Sequence, residues 1–307
     1  MAIAPDVSSA AAYGKKFAKG IILQIWKTLS EQGITVYPGI KGPTRFGKMA
    51  AGKGLKPYTG TFTPTGNVAF TDRELVPSLA TYEMSIQPLK YYNTWMADMI
   101  NASSTKKKLP FENEMWNEIV NEVADEFIGS ALYDGDKADG GSDPAKKIMD
   151  GLKLAIIDIN PDEVVTGNIA LSTAVDQFEA VYQSIPSVKR RVRMNLYASQ
   201  ASVDLYNQRY RALYHDKPTY NEFGQSALDI SGGKCLITPV DWLTGHEIII
   251  APQANLVLGT DAESDMSAIK MIETVYGWDA AITFSCGTQI PDPDFLFIND
   301  KISPAIS

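Results

Sequence analysis

"GIKGPTRFGKMAAGKGLKPYTGT", residues 39–61, admits two readings, and the choice between them decides the fold. Gly42-Pro43-Thr44-Arg45-Phe46-Gly47-Lys48-Met49 misses the G-x-x-x-x-G-K-[ST] phosphate loop by one residue. Three features oppose that loop. Met49 stands where a Ser or Thr hydroxyl would hold magnesium. Pro43 removes one of the amide donors that would cradle the phosphates. Gly52, Gly54 and Pro57 follow where a helix should begin, and it is a helix N-terminus that points amides at a phosphate. The second reading is a thin cationic ribbon. From Lys41 to Thr71 the chain carries Lys41, Arg45, Lys48, Lys53 and Lys56 and no acid, although the whole molecule has a net charge of −8.

On either side of this run, "ITVYPGI" (34–40) and "LATYEMSI" (79–86) alternate as strands do. Between them lie few large apolar residues, so this length of chain cannot bury itself well; such segments inside a domain are functional or mobile. Residues 8–33 predict an amphipathic helix, with Phe17, Ile21, Ile22, Ile25, Trp26 and Leu29 on one face and Gly33 as its stop. That helix packs either on its own core or, as an arm, on a neighbouring chain. "YYNTWMADMI" (91–100) predicts a short helix with Tyr92, Trp95, Met96 and Met99 on one side. Residues 112–133 carry the clearest helical stripe: Met115, Trp116, Ile119, Val120, Val123, Phe127, Ile128, Ala131 and Leu132. Glu114, Glu118, Glu122 and Asp125 occupy the opposite side of a rod roughly 33 Å long, facing water or a basic partner. After the turn-rich "DGDKADGGSDP" (134–144), "GLKLAIIDIN" (151–160) reads as a strand, 172–184 as a helix, "VRMNLYAS" (192–199) as a strand and "SVDLYNQRYRALY" (202–214) as a helix. From Gly233 onward the pattern is mostly β, giving an α+β chain without repeats.

The totals exclude several classes. With 307 residues, 45% hydrophobic and 21% charged, the chain is globular and long enough for one large domain or two ordinary ones. Its acidity disfavours general attraction to nucleic acid or anionic lipid. No run approaches the roughly 18 apolar residues of a membrane span, and no signal peptide is expected before Gly20–Trp26. Cys235 and Cys286 do not make a disulfide framework, and a reducing compartment at synthesis is expected. With His215 and His246 they do not form a metal-spaced set either. The acidic turn Asp134–Asp143 departs from a calcium loop at Ala138, Asp139 and Ala145. "PDPD" (291–294) reads as a solvated turn. There is no G-x-S-x-G elbow and no G-x-G-x-x-G run. No catalytic residue, cofactor site or metal site is nominated.

The C-terminal third is more specific. "GGKCLITPVDWLTGHEIIIAPQANLVLGTDAESDMSAIKMIETVYGWDAAITFSCGTQIPDPDFLFI" (232–298) resembles the corresponding part of tailed-bacteriophage major capsid proteins. The resemblance rests on Pro239-Val240, on Leu256 to Asp261, on the long strand pair from Ile269 to Ile290, and on Pro293 to Ile298. It implies the Hong Kong ninety-seven-like fold: an N-terminal arm (1–33), an extended β-hairpin loop (34–79), a peripheral domain (80–149 and 263–307) with a spine helix (111–133) closed by Asp134-Gly135-Asp136, and an axial α/β domain (150–262). It further implies a non-enzymatic shell protein, made in a bacterial host's cytoplasm and found in the virion. Its partners would be copies of itself in pentamers and hexamers, scaffolding and portal proteins, and packaged double-stranded DNA held by weak non-specific contact, with no membrane. Residues 39–61 then belong to the extended loop, whose two arms of about 20 residues reach some 60 Å. Lys41, Arg45, Lys48, Lys53 and Lys56 would contact the next copy, with Glu114, Glu118, Glu122 and Asp125 as candidate acceptors. Three rival readings stand beside this one: an encapsulin-like nanocompartment shell, a soluble enzyme with a site around His246 and Asp241, and a tail-tube or decoration protein.

Overall fold

The computed structural model describes residues 26, 29–58, 60, 63–64, 66–86, 111–138, 142–215, 226–261, 268–274 and 277–300. The helix expected over 91–100, and the expected arm apart from Trp26 and residues 29–33, lie outside them. Strands β1 (Thr35–Pro38), β2 (Thr44–Ala51), β3 (Val68–Leu75) and β4 (Ser78–Ile86) precede helix α1 (Phe111–Glu126). Then follow α2 (Leu152–Ile159), β5 (Glu163–Val164), α3 (Ala174–Ser184), β6 (Met194–Ser199) and α4 (Gln200–Tyr214). The remainder is β7 (Cys235–Val240), β8 (Ile248–Ala251), β9 (Val257–Thr260), β10 (Ala268–Thr274), β11 (Gly277–Gln289) and β12 (Phe297–Asn299).

β11 is long enough to serve three antiparallel partners. β4 lies along one edge, from Ser78↔Cys286 to Ile86↔Trp278. β10 and then β9 follow along the other, and β1 adds to β9 in parallel. A second sheet runs β5-β12-β8-β6-β7, and β2 with β3 forms a separate two-stranded ribbon. The sheets exchange strands across the expected 262/263 boundary: β9 joins the first and β12 the second.

Period-two alternation divides the apolar residues of the second sheet between two cores. Ile248 and Ile250 of β8 and Leu196 of β6 join Phe178, Val181 and Tyr206 on one face. Ile249 and Tyr197 point the other way, to Trp242, Leu152 and the α1 stripe. This main core also takes Val123, Phe127, Ile282 and Phe284. Trp26 is buried there, edge-on to Phe127 at 5.7 Å and to Phe284 at 5.5 Å, so the segment expected as an arm is anchored at this point in its own chain.

Residues 151–160 are helix α2, not the strand their sequence suggests. The run of Leu and Ile reads equally as strand or buried helix over so short a length. Tertiary packing selects the helix: Leu152 and Ile156, four apart, are buried together, and Asn160 ends the helix in the left-handed region at φ 46°. The helical stripe over 112–133 continues past α1 into a π-turn, Phe127–Ala131, where the Leu132 amide donates to the Phe127 carbonyl at 3.0 Å. The chain then reverses at Gly135 with almost no room. A Cβ there would lie 2.3 Å from the Ala131 carbonyl oxygen and 2.5 Å from that of Met149. Backbone atoms cannot yield as side-chain ends do, so Gly135→Ala should cost roughly 3 kcal/mol of stability in urea denaturation, against under about 0.5 for Gly42→Ala, a site with open space.

Candidate interaction surface

The stretch that opened the sequence question is strand. β2 and β3 pair antiparallel from Thr44↔Leu75 to Ala51↔Val68, which rules out a phosphate loop: no helix follows Lys48. The ribbon leaves the body at a notch. Gly259 of β9 and Gly287 of β11 are direct partners. A Cβ on Gly259 would meet Ile40 Cδ1 at 2.7 Å and Leu75 Cδ2 at 2.9 Å, and one on Gly287 would meet the Val76 carbonyl oxygen at 2.9 Å. The paired glycines therefore let Leu75 sink to full burial at the ribbon's root. The ribbon runs past the Gln289 end of β11, since Arg73 Nε donates to Gln289 Oε1 at 3.2 Å, whereas β4 runs the other way, toward Trp278.

Alternation gives the ribbon two unlike faces. Phe46, Lys48 and Arg73 face the body. Phe46 packs against Tyr37 with ring centroids 5.9 Å apart. Arg73 Nη2 donates to Asp158 Oδ2 at 2.8 Å. Lys48 Nζ donates to Asp292 Oδ1 at 2.5 Å and also to Asp294 Oδ2. Burial works against the Lys48 charge, but hydrogen bonds to Asp292 and Asp294, with their negative charges, hold the ammonium above its ordinary pKa. The Lys48 hydrogen bond holds the Asp294 carboxyl below its ordinary value despite burial.

Arg45, Met49, Val68, Phe70, Asp72 and Glu74 share the other face. Arg45 lies 3.4 Å from Asp72 and 3.8 Å from Glu74, so its charge is balanced within the ribbon. Farther out the surface is apolar and open: Met49 is 67% exposed, its cross-strand partner Phe70 78%, and Leu55 and Tyr58 near the tip are almost wholly exposed. Lys41 and Lys53 are exposed, and Lys56 donates to the carbonyl and hydroxyl of Thr63. Among the described residues no ion pair engages these three lysines. On α1, Glu118, Glu122 and Asp125 are exposed; the Glu114 side chain lies outside what is described. A cavity of about 200 Å³ between α1 and β4 has Val123, Phe127 and Ile148 in its lining, with Glu83 and Glu126 beside them. Burial, then the charges of Glu122 and Glu126, pushes the adjacent Tyr82 hydroxyl above its ordinary pKa. Among the described residues no ion pair joins the ribbon tip to the acidic helix face, and the ribbon and β4 leave the root in opposite directions.

The residues of the rival enzymatic reading are occupied elsewhere. Gln32 brackets Asp241, its Nε2 donating to Oδ2 at 2.6 Å and its Oε1 accepting from the Asp241 amide at 3.0 Å. The His246 carbonyl accepts from Asn299 Nδ2 at 2.8 Å, and no hydrogen bond or ion pair joins His246 to Asp241 among the described residues. His215 ends α4 in the left-handed region at φ 53°. Burial pushes the thiols of Cys235 and Cys286 up to about 12, far from a nucleophile's range. In the acidic turn, Asp134 pairs with Lys153 at 3.0 Å, while Asp136 and Asp143 accept from the Ala138 and Ala145 amides. No group of three or more His, Cys, Asp or Glu side chains suited to a metal occurs among the described residues, and no described helix is long and apolar enough to cross a membrane. Sequence reasoning missed Asp72, Glu74, Asp292 and Asp294. The hairpin register would have exposed the first two; the last two are brought to Lys48 only by the tertiary fold.

Solved structures resolve the architecture. The chain is similar to a protein of the satellite phage P4 procapsid that includes the size determination (Sid) protein, with TM-score 0.56, 12% identity, and 92% of this chain and 99% of that one covered. It is similar to the capsid of Myoviridae phage XM1, with TM-score 0.53, 9% identity and coverage of 89% and 90%. This is the Hong Kong ninety-seven-like capsid fold. The holo-SrpI encapsulin complex from Synechococcus elongatus PCC 7942 shares it, with TM-score 0.51, 12% identity and coverage of 92% and 88%. No protein-family model and no curated protein sequence matches the chain.

Leu75 is buried at the root of the ribbon, whereas Arg45 is paired only within the ribbon. Leu75→Ala should cost about 3 kcal/mol in urea denaturation. Arg45→Ala, which removes only the exposed contacts to Asp72 and Glu74, should cost less than about 1 kcal/mol.

Proposed function

We propose that this chain is a major capsid protein whose copies close into an icosahedral shell around phage double-stranded DNA. The observation that carries the reading is the ribbon's outer face. Met49, Val68 and Phe70 stand exposed on one side of a two-stranded arm, with Leu55 and Tyr58 near its tip. An isolated two-stranded arm is marginally stable in water, and an apolar face of this kind marks a contact surface. A closed shell supplies the cover: each copy contributes an arm and receives one, as heterologous contacts that form rings require.

On this reading the ribbon is the extended loop, α1 the spine helix, and residues 150–262 the axial domain that meets other copies in pentamers and hexamers. Lys41, Lys53 and Lys56 offer charge to a neighbour, and the acid-rimmed face of α1, with Glu118, Glu122 and Asp125, is the complementary surface. Such contacts steer and register encounter more than they add affinity. The net charge of −8 suits a container that does not grip its DNA, because each phosphate contact adds electrostatic affinity. Scaffolding and portal proteins complete the partner set, and the site of action is the virion. The likeness to an encapsulin favours one second reading, a nanocompartment shell filled with protein instead of a genome.

Electron microscopy of purified protein should find regular hollow particles. Long duplex DNA inside particles from infected cells supports the phage reading; protein cargo without DNA supports the nanocompartment. Removing residues 42–60 should leave a folded subunit that forms few or no closed shells, and normal shells from that deletion would defeat the role given to the ribbon. Lys53→Glu with Lys56→Glu should slow assembly about tenfold at low salt and much less at high salt, as screened charges do; light scattering during assembly reads the rate, and a salt-independent effect would sink the charge argument.

A further inference from the structure

The sequence presents the "PDPD" turn, residues 291–294, as solvated and Lys48 as a charge offered outward. In the structure each accounts for the other. Lys48 lies on the body side of the ribbon, with its ammonium between the Asp292 and Asp294 carboxylates. Its side chain is 23% exposed, against 68% for Arg45 three strand positions earlier and on the opposite face. The turn is itself braced. Asn255 Oδ1 accepts from the Asp292 amide at 2.7 Å, Asn255 Nδ2 donates to the Asp292 carbonyl at 2.8 Å, and Asp292 Oδ1 accepts from the Asp294 amide at 3.0 Å. From the far side, Lys189 Nζ donates to the Asp294 carbonyl at 2.6 Å and lies 5.6 Å above the Phe297 ring.

We infer that the 291–294 turn is a latch for Lys48 that decides which face of the ribbon is presented to a neighbouring copy. The reason is geometric. Side chains alternate along a strand, so seating Lys48 on the body forces Met49 and its partner Phe70 to the opposite side. Leu75 fixes where the ribbon leaves the body but not its rotation about that point. Phe46 on Tyr37 and Arg73 on Asp158 hold the ribbon close to its root, and Lys48, four residues beyond the first ribbon pair, adds a body contact farther out. Two carboxylates on one ammonium make this a charge-assisted contact, and the bracing by Asn255 means that the turn need not be ordered when Lys48 arrives.

The pH dependence follows from the four charged groups facing the latch: Lys48, Asp292, Asp294 and Lys189. Asp294 is held below its ordinary value, so its contribution is full above the ordinary carboxylate range and disappears as pH falls through the lowered value. Lys48 is held above 10.5, so its contribution is full below that value and disappears as pH rises through the raised one. The latch is therefore closed throughout the neutral range, and what opens it there is a competing charge or a mutation.

Amide hydrogen exchange on the dispersed full-length subunit at neutral pH tests this independently of shell formation. Asp292→Asn with Asp294→Asn should speed exchange of the β2 and β3 ribbon amides about tenfold while β4, β9 and β11 stay protected. Lys48→Glu should do the same, and adding Asp292→Lys and Asp294→Lys to Lys48→Glu should restore protection. Unchanged ribbon exchange in both the asparagine pair and Lys48→Glu would overturn the latch, as would failure of the swapped charges to restore it. If the subunit never forms shells yet these shifts appear, the latch stands and the capsid reading falls.

Discussion

Two glycines facing each other across β9 and β11 set the position of the ribbon. With no side chains at Gly259 and Gly287, the sheet has a notch deep enough to bury Leu75 and admit Ile40. Beyond the notch, Phe46, Lys48 and Arg73 hold the proximal half of the ribbon to the body. Its distal half stands clear, with Met49, Phe70, Leu55 and Tyr58 exposed among the described residues. The same notch determines direction: β3 arrives over the Gln289 end of β11, and β4 departs along β11 toward Trp278. Among the described residues no ion pair joins the ribbon to the acidic helix.

The body is built to hold that arrangement. β11 is paired along both edges, by β4 on one side and by β10 and β9 on the other, so the strand beneath the notch is not an open edge. Behind it, Phe284 and Phe127 close around Trp26. The second sheet serves two cores at once, because β8 reads Ile-Ile-Ile and alternation sends its side chains to opposite faces. Strands β9 and β12 cross between the regions that linear order would assign to separate domains, so each sheet draws strands from both.

Charge in the ribbon is distributed differently from its appearance in the sequence. Five cations without an acid read as a uniformly positive arm. Folding neutralises Arg45 with Asp72 and Glu74 across the hairpin and takes Lys48 inward to Asp292 and Asp294. What remains outward is Lys41 near the root, and Lys53 and Lys56 toward the tip. Apolar burial by Leu55, Tyr58, Met49 and Phe70 thus becomes the larger attraction available to the ribbon, and its residual charge supplies direction.

Much of this was legible in the chain itself. Met49, Pro43 and the glycines after Lys48 excluded a phosphate loop by local chemistry. The 3.6-residue stripe of 112–133 and the alternating runs after Gly233 specified helix and strand, because periodicity is a local property tied to burial. Residues 151–160 failed as a strand because eight apolar-rich residues fit either period, and only the neighbours of Leu152 and Ile156 could choose. The pairing of Gly259 with Gly287, the seat for Leu75 and the meeting of Lys48 with residues 292 and 294 belonged to the tertiary structure alone. Each joins residues far apart in sequence, and proximity of that kind is created by the packing of sheets, not by the order of residues.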